Sequence, residues 1–465
     1  MIKQISGFFR LFRQAINGTE KDFTTGSIDR AIFLLSVPMV LEMLMEGLFA
    51  LVDIFFVAKL GKEGPATIGL TEVVMSQVMA LALGLSMATT AMVARRIGEK
   101  DKEGASIAAM QAIFIGAIVC LVIAVFFYFN SEEILRFMGG SEELIRVGNG
   151  YTRILLTGSS TLFFLFLLNA IFRGAGDASI AMRTLLIANG INIILDPLLI
   201  FGLGPFPEMG VTGAAVVTTI GRGIGVCYQV YYLVNGKSQV HLQRRHLVWV
   251  GNIIKRLIKV SSTGVLQMAI ATASWLFIVR IISHFGDAAV AGYSIGIRII
   301  IFTILPAWGM ASAASTLVGQ NLGALQPERA EKSVWRSAFI NMIFLTSVSI
   351  VFFICAPLFI PWFSPDPEVV HHGVLCLRII CLGYIFYAYG MVIGQAFNGA
   401  GDTVTPSWIN FIAFWLIQIP LCYTLGQLLN LGPVGVYWGI AISESILAVI
   451  AVFIFRRGKW KLIKI

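Results

Sequence analysis

Residues 84–105 read GLSMATTAMVARRIGEKDKEGA, and residues 309–330 read GMASAASTLVGQNLGALQPERA. Gly84 pairs with Gly309, Gly98 with Gly323 and Ala105 with Ala330, each at an offset of 225 residues. Farther on, Phe172-Arg173-Gly174-Ala175-Gly176-Asp177 pairs with Phe397-Asn398-Gly399-Ala400-Gly401-Asp402 at the same offset, as does Gly61 with Gly286. Separated blocks held in one register mark a duplicated chain. Each copy is a string of long apolar runs, so the duplicated unit is a bundle of membrane helices.

Composition agrees. Of 465 residues, 57% are apolar and only 13% are charged, with a mean hydropathy of +0.84. Soluble domains carry about 25% charged residues, so this chain cannot clothe itself in polar groups as a soluble enzyme must. One span takes about 20 apolar residues, and the runs predict twelve. They lie at 31–60, 66–95, 104–129, 146–173, 179–203, 211–235, 258–285, 288–320, 332–362, 370–397, 404–428 and 433–456. Six spans per copy is an even number, so both copies face the same way, about a pseudo-two-fold axis along the membrane normal. The expected fold is an all-α integral membrane protein of twelve transmembrane helices, in two parallel-repeat six-helix bundles around a central cleft. Residues 1–30 form an N-terminal segment, 31–235 a first lobe, 236–257 a basic linker, 258–456 a second lobe and 457–465 a basic tail.

Of the 34 Lys and Arg residues, 25 flank the spans on the side of the termini and five the other side, with Arg153, Arg222, Arg298 and Arg378 inside spans. This positive-inside bias predicts a multi-pass protein of the cell (inner) membrane with both termini cytoplasmic. It also explains a pI near 9.3 without a nucleic-acid partner. The segment Gly7–Ile16 is amphipathic, fit to lie on the membrane or to stay a loose tail. The six cysteines sit in apolar runs with no paired framework and read as core residues. His371 and His372 adjoin a loop without partners, so no metal pair is read there. There is no G-x-x-x-x-G-K-[ST], H-E-x-x-H or G-x-S-x-G, which argues against a nucleotide-driven pump and a hydrolytic enzyme. Two bundles about a cleft are instead the layout of alternating access in a monomeric secondary transporter.

Acids within spans are costly and mark function. Glu42, Glu46 and Asp53 fall within about 40° on one face of the first helix, and Asn189, Asn192 and Asp196 within about 60° on one face of the fifth. Asp53 lies eight residues before Gly61, Asp196 eight before Gly204, and Thr218 eight after Gly210. At 1.5 Å per residue all three sit about 12 Å below the outer surface. Asp53, Asn192, Asp196 and Thr218 therefore form the candidate site for Na⁺ or H⁺, with Pro197 freeing a further carbonyl. The competing reading is a charge pair between Asp53 or Asp196 and Arg153. Glu42 and Glu46 either line the cleft or sit protonated against lipid or protein, with Gln77 and Met43 as further cleft candidates. Glu72 reads as a headgroup-level acid. Glu444, the second lobe's lone mid-span acid, reads as hydrogen-bonded within its bundle. Pro38 is expected to let the first helix bend.

Pro38 followed by Val52-Asp53, the Leu317-Val318-Gly319-Gln320-Asn321 core, the paired GAGD blocks and Asn192-x-x-x-Asp196-Pro197 together resemble the multidrug and toxic compound extrusion (MATE) transporters. The resemblance covers about residues 30–457. It implies antiport of drugs or other organic compounds, typically aromatic cations, against Na⁺ or H⁺, with the ion at Asp53, Asn192, Asp196 and Thr218 and no other cofactor. NorM-type members carry acids in the seventh and tenth spans. Here those spans show Gln267, Tyr387 and Tyr389 but no acid, which makes the chain DinF-like, with Tyr387 and Tyr389 as cleft candidates. Related flippases for lipid-linked or amphipathic substrates are the alternative.

Overall fold

The structure is a computed structural model that describes residues 2–18, 22–57, 63–463 and 465; the side chains at several of these positions, Asp53 among them, lie outside the described residues. An amphipathic helix α1 (Ile2–Asn17) precedes the bundle. The first lobe comprises α2 (Ile28–Val57), α3 (Glu63–Gly98), α4 (Lys102–Phe137), α5 (Glu142–Thr157), α6 (Ser159–Ala175), α7 (Ala178–Phe201) and α8 (Gly210–Val234). The second comprises α9 (Gly251–Ile282), α10 (Asp287–Gly323), α11 (Pro327–Phe359), α12 (Pro367–Leu382), α13 (Tyr384–Gly399), α14 (Val404–Asn410), α15 (Ile419–Tyr423) and α16 (Gly432–Arg456). Among the described residues eleven apolar segments are long enough to cross a membrane, and the α12–α13 pair, bent by 60°, makes a twelfth when taken as one span.

Three details differ from the sequence expectation. The fourth and tenth spans are each two helices, broken at Gly158 and Gly383. These positions differ by 225, so the break belongs to the repeated unit. The eleventh span is not regular either: Phe411–Gln418 and Thr424–Leu428 are π-helical around the short α15. Finally α9 begins at Gly251, inside the expected linker. The stretch before it is fastened to α4: Gln111 Nε2 donates to Val248 O at 2.8 Å, and Glu103 accepts from Arg245 at 2.9 Å and pairs with His246 at 2.8 Å.

The repeated glycines meet at the lobe interface. A Cβ on Gly98 would stand 2.0 Å from Gln320 O, and one on Gly323 would stand 2.1 Å from Arg95 O. Residues 95 and 320 also differ by 225, so the two contacts are copies of one, related by the pseudo-two-fold. Higher up, Gly309 of α10 lies against Met39 O of α2, and Gly84 of α3 against Gly264 of α9. Only glycine admits backbones this close. Gly176 and Gly401, both at φ 84°, close α6 and α13 in the left-handed conformation. The acid after each then acts locally: Asp177 accepts from Ser238 Oγ at 2.5 Å and Gln239 N at 3.0 Å, while Asp402 accepts from Thr405 N and Oγ1 at 3.0 and 2.6 Å.

The end of the bundle bearing both termini is closed. Arg329 donates to Thr25 O and Gly26 O at 2.9 Å, Arg336 pairs with Asp29 at 2.6 Å, and Arg95 donates to Ile463 O at 2.9 Å. Burial raises the Asp22 carboxyl, but bonds from Lys100 and Thr24 outweigh it and hold the group at about 2. That tie between the N-terminal segment and the α3–α4 turn therefore stays ionised at any physiological pH. The helix α1 docks on the same end, with Ala15 buried and Arg183 donating to Ile16 O at 2.9 Å.

Candidate functional site

Helices α7 and α8 bring the first-lobe oxygens together. Asp196 is fully buried, and Asn192, one turn earlier on the same face, donates Nδ2 to its Oδ2 at 3.1 Å. Asn189 donates Nδ2 to Met45 O at 2.6 Å, which ties α7 to α2. The Oδ1 atoms of Asn189 and Asn192 have no hydrogen-bond partner among the described residues. Buried acceptors are rarely left so, and the pattern suits a monovalent cation or a proton. The α8 backbone passes close: a Cβ on Gly221 would lie 3.3 Å from Asn192 Oδ1. Thr218, one turn away on α8, is buried and lines a cavity. Asp53 lies on α2, but its side chain is outside the described residues. Arg153 shows no ion pair with Asp196 among them. It rests instead over the Tyr128 ring at 4.0 Å, as its repeat partner Arg378 rests over Phe353 at 5.4 Å.

Between the lobes two cavities share a wall. One, of about 390 Å³, is lined by Glu46, Glu72, Thr218 and Arg222 from the first lobe and Met268 and Thr272 from the second. The other, of about 210 Å³ and nearer the closed end, is lined by Met43, Glu46, Arg173, Trp308 and Asn398. Glu46 and Met43 thus line these cavities, whereas Glu42 does not. It is fully buried behind the wall, where it accepts from Asn169 Nδ2 at 2.9 Å and pairs with Arg173 at 3.3 Å. Gln229 Nε2 in turn donates to Asn169 Oδ1. The cost of a buried charge explains this placement, since Arg173 needs a fixed anion and Glu42 supplies it.

The structure also departs from expectation at Gln77, Tyr389, Tyr387 and Glu444. Gln77 is exposed beside Ser76 and lines neither cavity. Tyr389 turns away from the cleft to pack on Trp335 at 6.4 Å, because α13 places it on the face opposite Tyr387. Tyr387 and Glu444 line a third cavity, of about 460 Å³, inside the second lobe. Contrary to expectation, Glu444 makes no hydrogen bond among the described residues. The Arg173–Glu42 pair was legible in principle, because a span holding an arginine must also supply an acid. Placing Arg173 at a loop edge hid that need.

Matches to known proteins follow the duplication. The MatE family model matches residues 38–198 and again residues 265–424, one match per lobe. The chain belongs to the MatE family. Its members are transporters and not enzymes, and the MATE resemblance of the sequence is confirmed. A probable multidrug resistance protein NorM of Thermotoga maritima is 26% identical over 437 residues, 93% of each chain. A MATE crystal structure in the straight conformation is 27% identical, with a TM-score of 0.89 over 95% of this chain and 98% of that one. One in the bent conformation is 27% identical, with a TM-score of 0.88 over 97% and 98%.

Proposed function

We propose that this MatE protein exports drugs or other organic compounds, aromatic cations chief among them, in exchange for Na⁺ or H⁺ entering the cell, by alternating access. It would act as a monomer in the cell (inner) membrane with both termini cytoplasmic, in contact with membrane lipid. The carrying observation is the buried Asp196–Asn192 pair, with the Oδ1 atoms of Asn189 and Asn192 left without a hydrogen-bond partner among the described residues, beside a cleft that Thr218 reaches. A desolvated carboxylate demands a proton or a cation. Asp53, on the neighbouring helix at matching depth, completes the set by the sequence argument. Asn192 and Thr218 add neutral oxygens, which Na⁺ uses and a proton does not require. The absence of acids from the seventh span and from the tenth beyond the first turn of α12 supports the DinF-like, first-lobe mechanism, although the Thermotoga relative carries the NorM name. A flippase reading is not favoured: Arg173 has Glu42 as its partner and Arg222 shares a cavity with Glu46, so the cleft lacks the excess positive charge that phosphate-bearing lipids call for.

The test is transport in proteoliposomes under a Na⁺ gradient alone or a pH gradient alone. One gradient drives uptake of an aromatic cation by the wild type, and Asp53→Asn and Asp196→Asn each lose it while still purifying as folded protein. The same variants lose drug resistance in a hypersensitive bacterial host. Wild-type transport in both variants would place the coupling site elsewhere.

A further inference from the structure

Helix α1 lines neither cavity between the lobes. Its sequence, IKQISGFFRLFRQAIN, carries Lys3, Arg10 and Arg13 and no acid. At 100° per residue Leu11 and Ala15 fall about 40° apart on one side, while Phe9, Arg10 and Arg13 fall within about 100° on the other. The fold uses the first side. Ala15 is buried, and Leu11 packs on the cluster that Ala31, Leu34 and Leu35 of α2 form with Ala178 of α7. The second side faces outward, with Arg10 and Arg13 exposed and Phe9 64% accessible.

Two contacts fix where this face stands. Arg183 of α7 donates to Ile16 O at 2.9 Å. Gly18, at φ 64°, then closes so tightly on the start of α7 that a Cβ there would stand 2.1 Å from Ser179 Oγ. Arg183 shares a face of α7 with Leu186, Ile193 and Ile194, all within about 100°. Those three apolar side chains are exposed and line neither cavity between the lobes. An exposed apolar stripe along a spanning helix faces the hydrocarbon of the bilayer. An arginine at the end of that stripe reaches the headgroup level. The last turn of α1 is therefore moored at headgroup depth on the lipid side of α7.

We infer that the outer face of α1 is a docking surface for anionic phospholipid, with Arg10 and Arg13 on the headgroup phosphates and Phe9 in the acyl boundary beneath them. Charge complementarity decides the occupant. Three cations in a helix without an acid attract negative lipid, each basic residue near such a surface strengthening binding about fivefold. An aromatic ring beside two arginines suits the boundary between headgroups and chains. An acidic protein would answer the charges alone, whereas the mooring on α7 sets this face beside the bilayer. The inference stands apart from the export reading; the proposed orientation enters only in making this the cytoplasmic leaflet.

The experiment places a nitroxide at position 9 of the full chain, as Phe9→Cys with the exposed Cys227 replaced by serine. The protein is held in nanodiscs of phosphatidylcholine alone, or with about one third phosphatidylglycerol to supply negative charge. Relaxation by oxygen, which favours hydrocarbon, and by a nickel chelate, which favours water, reports the depth of the label. With phosphatidylglycerol the ratio of oxygen to nickel accessibility is expected to rise about tenfold over the neutral disc, and added salt reverses part of the rise. Arg10→Gln with Arg13→Gln removes the response, while Arg10→Lys with Arg13→Lys keeps most of it. A label at Leu186→Cys stays in hydrocarbon in every disc. A position-9 label that remains in water in both discs would overturn the inference and leave the face to a protein partner or to solvent. So would equal depth in the two discs, or a response undiminished in the double glutamine variant. A water-exposed Leu186→Cys label would overturn it as well, because it would take α1 away from the bilayer.

Discussion

Arg173 and Glu42 sit where neither would be stable alone. With 10% and 0% of their side chains accessible, each satisfies the other's charge, and Asn169 and Gln229 extend the bonding. Removing one member of such a pair strands the other, at a cost of about 3–5 kcal/mol. Glu42→Ala is therefore expected to lower thermal stability in detergent by several degrees. Glu42→Gln keeps the bond to Asn169 and loses less, and the double change Glu42→Leu with Arg173→Met recovers part of the loss. Equal melting temperatures for Glu42→Ala and the wild type would show that Arg173 has another anchor. Asp196 carries a different prediction. Asn192 donates to it, and the Asn189 and Asn192 Oδ1 atoms have no hydrogen-bond partner among the described residues, so Asp196→Asn is expected to leave stability nearly unchanged while abolishing coupling, read from melting temperature and transport together.

At the scale of elements, α2 carries the strongest expectation. Pro38 lies inside it and is buried. Proline removes the amide bond to the carbonyl four residues back and crowds that turn. Just beyond, the Met39 carbonyl faces Gly309 of α10 with no side chain between them. A change of bend at Pro38 would slide this close backbone contact and alter the cleft wall at Met43 and Glu46. Pro38→Ala restores the missing bond and should stiffen α2. Expected is normal expression with gradient-driven transport reduced at least tenfold, measured in proteoliposomes. Transport at the wild-type rate would make the bend incidental.

For the whole molecule, the paired contacts Gly98–Gln320 and Gly323–Arg95 hold the lobes together at the end of the termini. A methyl group at either glycine meets a backbone oxygen at 2.0 or 2.1 Å, so the lobes must part. Overpacking of this kind costs about 1–3 kcal/mol, and it falls on the closed arrangement alone. Each 1.4 kcal/mol is about a tenfold shift in population. Gly98→Ala and Gly323→Ala are each expected to move the protein about ten- to a hundredfold toward the form open at that end, and by similar amounts because the two contacts are copies. Spin-label distances between Lys102 and Gln326, each replaced by cysteine, would report the opening. An unchanged distance distribution in both variants would mean that this interface is not the gate.

The sequence by itself determined the number of spans, the duplication, its parallel sense and the family. These follow from properties that survive projection onto one dimension: run length against membrane thickness, charge at run ends, and a constant offset of 225. It also placed Asn192 and Asp196 on one face, because helical periodicity fixes angle within a single helix. Only the tertiary structure decided which charges face each other across helices. Glu42 and Glu46 share a face of α2, yet one is buried against Arg173 and the other opens on the cleft. Their fates differ because the depth and tilt of α2 against α6 and α8 are set by packing, which no single-helix pattern records. The broken spans at Gly158 and Gly383 escaped notice for a related reason, since each break is a single glycine within a stretch long enough for one span, and only the course of the backbone shows where one helix ends and the next begins. Tyr387 and Tyr389 diverged because two residues along a helix are about 200° apart, so only one could face a cavity, and the packing of α13 against α11 and α16 chose which. Glu444 read as structural because its sequence neighbours are apolar. The rings that surround it come from α9, α10 and α13 and the eleventh span, brought together only when the second lobe folds.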